Sequence, residues 1–245
     1  ASGGWCPATM FACDGGYAGR KSCICAGDKK ESACLTTFLW PLCQCGFSCK
    51  ALLFSNAGNF DGFTGATAGI GRATARLFAG KGWYVGLAAR SADKLEELEN
   101  ELGAANCSGH VVDVTDAEQV NRALQAFSEN TGGVLHVLVN NAGVLHAGDF
   151  EDMPAHQHHS IIDTNIKGVI HCMQSAFPLL KNTPDSHVIN MSSASAMYGS
   201  PTLATYSASK FAVRALTEAL NVEWARHDIA VTDIMPPFVD TEMLD

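Results

Sequence analysis

Tyr206 and Lys210 stand four residues apart in "YSASK". On a helix that spacing puts both side chains on one face. A neighbouring ammonium lowers a phenol pKa, which brings Tyr206 closer to acid/base strength near neutral pH. Ser193 stands thirteen residues earlier, in "VINMSSASA", at the end of an expected strand. A hydroxyl there can hold a carbonyl oxygen beside the tyrosine. Asn165, in "DTNIKG", is expected in mid-helix, where an amide positions a water or the lysine. Taken singly, each is also an ordinary helix or loop residue.

A second group of residues suits a phosphate. The stretch "TGATAGIG" supplies Thr64, Gly65, Gly69, Ile70 and Gly71. Glycines let a backbone approach a pyrophosphate, and the helix that follows offers free N–H groups and the positive end of its dipole. The spacing is G-x3-G-x-G, and a tight strand-to-helix turn has the same composition. The second expected strand ends "GLAARSADK". Ala89 stands where a carboxylate would bind ribose hydroxyls, and Arg90 follows. A guanidinium there attracts a 2′-phosphate or is simply solvated at the start of a loop. Asp113 and Val114 end the third strand; Asp113 either accepts from an adenine amino group or caps the next turn. "NNAG", Asn140 to Gly143, ends the fourth, with small residues that permit close packing on a ligand and Asn side chains that tie loops together.

These residues need elements to carry them. "WYVGLA" (83–88), "GHVV" (109–112), "VLHVLV" (134–139), "HVIN" (187–190) and "IAVTDIM" (229–235) are short apolar runs suited to a parallel sheet buried on both faces. Amphipathic segments lie between them, with longer ones at 154–181 and 204–227. The β-α alternation predicts an α/β fold with a doubly wound, Rossmann-like parallel sheet. Each motif falls at a strand C-terminus, where ligands bind in such sheets.

In this order and spacing, "TGATAGIG", "DV", "NNAG", "TNIKG", Ser193, "YSASK" and "MPPFVDTEM" resemble the classical short-chain dehydrogenase/reductases over residues 64–243. The resemblance implies hydride transfer between a nicotinamide cofactor and an alcohol or carbonyl substrate. Tyr206 would be the catalytic acid/base. Lys210 would lower its pKa and bind the nicotinamide ribose. Ser193 would orient the substrate oxygen, and Asn165 would complete a proton relay through water. Gly65, Gly69, Ile70 and Gly71 would line the pyrophosphate. Asp113, Val114, Asn140 and Gly143 would contact the adenosine side, and Thr64, Ala142 and Thr241 complete the cofactor set. Arg90 without an acid at Ala89 implies NADP in preference to NAD. Family members are often dimers or tetramers through two long helices, here 154–181 and 204–227.

The chain departs from that pattern in three places. The approach to Thr64 is "AGNFDGF", a poor central strand by composition. Residues 59–63 are nonetheless expected in the first-strand position, because the glycine loop must hang from a strand. The usual Pro-Gly after the sixth strand is Pro236–Pro237, which removes a backbone N–H. The sequence stops at Asp245, where the family continues with substrate-covering helices and a last strand, so a C-terminally truncated fold with an open pocket and an exposed sheet edge is expected.

The 245 residues divide into a Cys-rich segment, 1–58, and a dehydrogenase-like domain, 59–245. Eight of the ten cysteines precede residue 50; only Cys107 and Cys172 follow. The first part reads as oxidising or metal-bound, the second as reducing and cytoplasmic. The C-x-C pairs at 23/25 and 43/45 follow no paired zinc pattern. His156, His158 and His159 lack an acid or Cys partner at ligand spacing, so no metal is expected there. Apolar residues make up 47% and charged residues 17%, which requires a large core. The net charge of −9 argues against a nucleic-acid groove, and no apolar run is long enough for a membrane span. Two other readings stand beside the enzyme: a catalytically incompetent dehydrogenase-like fragment, and a Cys-rich binding module fused to such a domain.

Overall fold

A computed structural model describes residues 22–24, 60–237 and 239. Seven parallel strands form one sheet: β1 (Ser22–Ile24), β2 (Phe60–Thr64), β3 (Tyr84–Ala89), β4 (Cys107–Val111), β5 (Val137–Asn140), β6 (His187–Met191) and β7 (Ala230–Met235), in the order β1-β7-β6-β5-β2-β3-β4. Helices α1 (Gly69–Gly80), α2 (Ala92–Leu102), α3 (Ala117–Thr131), α4 (Ala155–Ile162), α5 (Gly168–Asn182) and α6 (Ala204–Glu223) make the connections.

The strands alternate strictly between two cores. Val137 and Val139 of β5 face a core with Ala75 and Phe78 of α1 and Leu95 and Leu98 of α2. Leu138, between them, faces the other core, with Val120 and Phe127 of α3, Met173 and Leu180 of α5 and Val213 of α6. This period-2 sorting is why the strands read as continuous apolar runs. Two helices are cut by good caps: Ser91 accepts from the Lys94 N–H, and Asp116 from those of Glu118 and Gln119.

Residues 60–64 do form the strand beneath the glycine loop. Phe60–Thr64 pairs with β3 along its whole length and with β5 from Asp61 to Phe63. A ladder on both sides outweighs the poor β-propensity of "FDGF". Beyond β7 the expected exposed edge is not bare: Ser22–Ile24 pairs with Asp233–Met235. The helix expected over 154–181 is interrupted by one π-helical turn, Asp163–Lys167, between α4 and α5. That expected over 204–227 ends at Glu223 and finishes as a 3₁₀ turn, Trp224–His227. No helix among the described residues is long and apolar enough to cross a membrane.

The chain runs outward from β2 to β4 and returns to β5 on the other side of β2. Loops leaving β2 and β5 therefore diverge, and a crevice opens at the C-terminal ends of the strands.

Candidate active site

That crevice is a cavity of about 530 Å³, within the range of small-molecule sites. It draws lining residues from the loops after six strands, β2 to β7.

One end is built on the glycine loop. Gly65 has φ +64°, and a Cβ there would lie 3.0 Å from the Ala142 backbone. A Cβ on Gly71 would overlap the Gly65 carbonyl oxygen. The loop thus folds tightly onto the first turn of α1, whose N–H groups face outward with no acidic residue beside them. Thr64 holds the next loop to this one. Its hydroxyl accepts from the N–H of Asn141 (3.0 Å) and Ala142 (3.1 Å), while the Asn141 amide donates to the Gly65 carbonyl (3.1 Å).

The opposite end carries the tyrosine. Tyr206 and Lys210 lie on the same buried face of α6, with the ammonium 5.6 Å from the ring centroid. Ser193, just beyond the end of β6, lines the same cavity as Tyr206, and its hydroxyl favours the phenol's ionised form. Lys210 donates to the Met191 carbonyl (2.9 Å), and Ser192 donates to the Lys210 carbonyl (3.2 Å), so α6 is stitched to the end of β6. Burial pushes the Lys210 ammonium down to about 8. It also pushes the Tyr206 phenol up, and the Ser193 hydroxyl pulls it back only in part. The ammonium is directed to the Met191 carbonyl, and desolvation of the ring is the larger effect.

Asn165 lies inside the expected helical stretch. It is 1% exposed and sits in the π turn, a feature often found at functional sites. Its Oδ1 accepts from the Val144 N–H (2.8 Å), and its Nδ2 donates to the Val144 carbonyl (3.0 Å) and to Ser209 (3.1 Å). Both amide protons are therefore spent within the protein, and the side chain clamps the loop after β5.

Of the other expected cofactor residues, Gly65, Gly69, Ile70, Arg90, Asp113, Val114, Ala142 and Gly143 line the cavity with Tyr206 and Lys210. Thr64, Gly71 and Asn140 do not: the first two shape the loop from behind. Asn140 lies in the sheet, where its amide donates to Asn190 (2.8 Å). Asn141, one residue on, lines the cavity in its place. Asp113 spends one oxygen on the Thr115 N–H (2.9 Å) and hydroxyl (2.8 Å), so it caps the turn and still borders the cavity. Arg90 is exposed at the cavity edge with no ion-pair partner among the described residues. Thr241 lies outside the described residues, as do the N-terminal cysteines other than Cys23, whose place in β1 is described. No cluster of His, Cys, Asp or Glu among the described residues could hold a metal. Sequence reasoning missed Asn141 and Ser209; the second Asn of "NNAG" and the second Ser of "YSASK" were their only signals.

A doubly wound parallel sheet with a glycine loop at its switch point and a Tyr–Lys–Ser cluster at the cavity's far end defines a dinucleotide-dependent oxidoreductase. The sequence profile described as short chain dehydrogenase matches residues 63–245. The chain belongs to the short-chain dehydrogenase/reductase family, whose members are NAD(P)-dependent enzymes. It is 35% identical over 178 residues to an uncharacterized oxidoreductase of Staphylococcus aureus (strain N315), covering 73% of this chain and 77% of that one. A Staphylococcus saprophyticus uncharacterized oxidoreductase is also 35% identical, over 184 residues and 74% of each chain. Among solved structures, a 3-ketoacyl-(acyl-carrier-protein) reductase from Brucella melitensis complexed with NADH superposes with a TM-score of 0.73 at 28% identity, over 78% of this chain and 80% of that one. ElxO with NADP bound superposes at 0.71 and 29% identity, over 77% of each.

Proposed function

We propose that the protein is an NADP(H)-dependent oxidoreductase acting on an alcohol/carbonyl pair, with Tyr206 as the acid/base. The observation that carries this reading is that Ser193, Tyr206 and Lys210 line one end of a cavity whose other end is the glycine loop. Solved relatives with NADH and with NADP bound support a nicotinamide cofactor. The residues present fit one: Gly65, Gly69 and Ile70 line the cavity at the N-terminus of α1, whose first turn carries no acidic residue. When bound, that cofactor supplies or accepts the hydride.

The chain's own groups handle the oxygen. The Ser193 hydroxyl accepts from the Ser195 N–H (3.2 Å), which leaves its proton to donate. It and the Tyr206 O–H are two donors at one place, where a substrate carbonyl oxygen would accept from both. When the carbonyl carbon is reduced, its oxygen would take the phenolic proton of Tyr206, giving an alcohol. Burial keeps Tyr206 protonated at neutral pH, the state that carbonyl reduction needs. Lys210 supplies positive charge near the resulting phenolate. Asn165 serves through the loop it holds, as a positioning residue.

Arg90 favours NADP. It ends β3, three strand spacings from the end of β6 that bears Ser193, or about 14 Å at the usual spacing between strands. A 2′-phosphate at that end would pair with this guanidinium, which has no ion-pair partner among the described residues. The test is a fluorescence titration of the full chain with NADPH and NADH. NADPH should bind at least about tenfold more tightly, and Arg90→Ala should remove most of that preference. Equal affinity for both cofactors in the unaltered protein would contradict the assignment.

Exposed Phe211 and Val222 on α6 support a homo-dimer or homo-tetramer through that helix. The buried free thiols of Cys107 and Cys172 support a reducing, cytoplasmic setting.

A further inference from the structure

The charge around the cavity is unevenly placed. Arg90, Lys94 and Asp113 are at the end formed by β3, α2 and the loop after β4. The wall near Tyr206 consists of Leu145, Ser195, Tyr198, Ser200 and Leu203. Apart from Lys210, which is tied to the Met191 carbonyl, no ionisable side chain other than tyrosine lines that end among the described residues.

This wall is held in place by the backbone. Leu203 N–H donates to the Ser200 carbonyl (3.1 Å), closing a turn through Pro201 and Thr202. Pro at its second position and φ +62° at Thr202 define a type II turn, which ordinarily carries glycine at the third position. The Thr202 carbonyl accepts from the Gly148 N–H (2.9 Å), and the Ser200 N–H donates to the Ser207 hydroxyl (3.2 Å). The turn is thus pinned both to α6, one residue past Tyr206, and to the loop leaving Leu145. That loop then carries Asp149, Glu151 and Asp152, all exposed. Tyr198 is 63% exposed although it lines the cavity, so its ring is open to a partner.

From these placements we propose that the substrate is an uncharged ketone, or its alcohol, bearing a flat apolar substituent that packs on Tyr198, Leu145 and Leu203. The inference rests on the reading of Tyr206 as the proton donor. A carboxylate on that substituent would lose water without gaining a cation among the described residues, on a chain of net charge −9. An aromatic ring would lose little water and gain the face or edge of Tyr198. The polar contacts left for it are the Ser195 and Ser200 hydroxyls, which suit a neutral acceptor.

A matched pair tests this: methyl 4-acetylbenzoate and 4-acetylbenzoate, which differ by one charge far from the ketone. NADPH binding to the full chain is measured first by fluorescence; if NADPH does not bind, the oxidoreductase reading fails on its own account. With NADPH bound, kcat/KM for the ester should exceed that for the acid at least about tenfold. Leu145→Lys should shift the ratio toward the acid by supplying the missing cation, and Ser200→Lys is the second variant should the first fail to fold. Tyr198→Ala should raise KM for the ester more than it lowers kcat. Equal turnover of acid and ester, a ratio unmoved by a folded lysine variant, or NADPH binding with neither ketone reduced would each overturn the proposal.

Discussion

The amide of Asn165 grips both backbone groups of Val144, accepting from its N–H at 2.8 Å and donating to its carbonyl at 3.0 Å. One side chain in a π turn thereby fixes the loop that forms the middle of the cavity wall. The same amide reaches Ser209, which donates to the Tyr206 carbonyl at 2.7 Å, so the loop and α6 are held as one unit.

Replacing Asn165 with Ala leaves both backbone groups of Val144 without this partner and removes a donor to the buried Ser209 hydroxyl. The expected cost is about 2–4 kcal/mol of stability, measured by urea unfolding, because orphaned buried polar groups cost more than a hydrogen bond contributes. In the folded fraction, cofactor affinity should fall together with kcat, since the loop serves both. A variant of unchanged stability would show that Val144 does not depend on the amide.

Three glycines separate by what surrounds them. Gly71→Ala should abolish cofactor binding, because the methyl would overlap the Gly65 carbonyl, which cannot move without unmaking the loop. Gly65→Ala faces backbone at 3.0 Å and a positive φ, and should be nearly as damaging. Gly62→Ala, in contrast, meets only the Leu135 and Leu138 methyls at 3.6 and 3.8 Å. There the methyl fills space in a strand, so stability should rise by about 0.5–1 kcal/mol in thermal melts. Loss of stability in Gly62→Ala would show that β2 needs the glycine.

Asp233 in β7 is buried, and its Oδ2 has no hydrogen-bond partner among the described residues. Burial raises its carboxyl from 3.8 to about 6, against the pull of Arg214. The folded pKa lies above the unfolded one, so the folded state holds the extra proton between the two values. Stability from this group is greatest below about 3.8, falls as pH rises through about 6, and stays low beyond. Asp233→Asn should therefore stabilise the protein at pH 7–8 by roughly 1–3 kcal/mol and give no gain near pH 4. Melting curves at both pH values check this; an equal gain at both would remove ionisation as the cause.

The sequence carried the fold well where the physics is periodic. The apolar runs at 83–88 and 187–190 became β3 and β6, and the four-residue step from Tyr206 to Lys210 became one buried helix face. It carried less where a single residue changes the outcome. A π turn adds one residue to a helix without breaking its apolar pattern, so Asn165 reads as mid-helix. Asn140 and Asn141 are alike in type, and only the end of β5 decides which enters the sheet and which the cavity. Ser22–Ile24 is too short to show a period at all. β2 is formed by its two neighbours rather than by its own composition, which is why "FDGF" looks unlike a strand.

The account turns on the proton of Tyr206. In Tyr206→Phe the ring still fills its buried place, while the proposed donor to the substrate oxygen is gone. Reduction of methyl 4-acetylbenzoate by NADPH should fall at least about a thousandfold in kcat, with NADPH affinity changed less than about threefold. Lys210→Ala, by comparison, should lower both. Turnover by Tyr206→Phe at the rate of the unaltered protein would contradict the account, because the phenolic proton would then carry no chemistry.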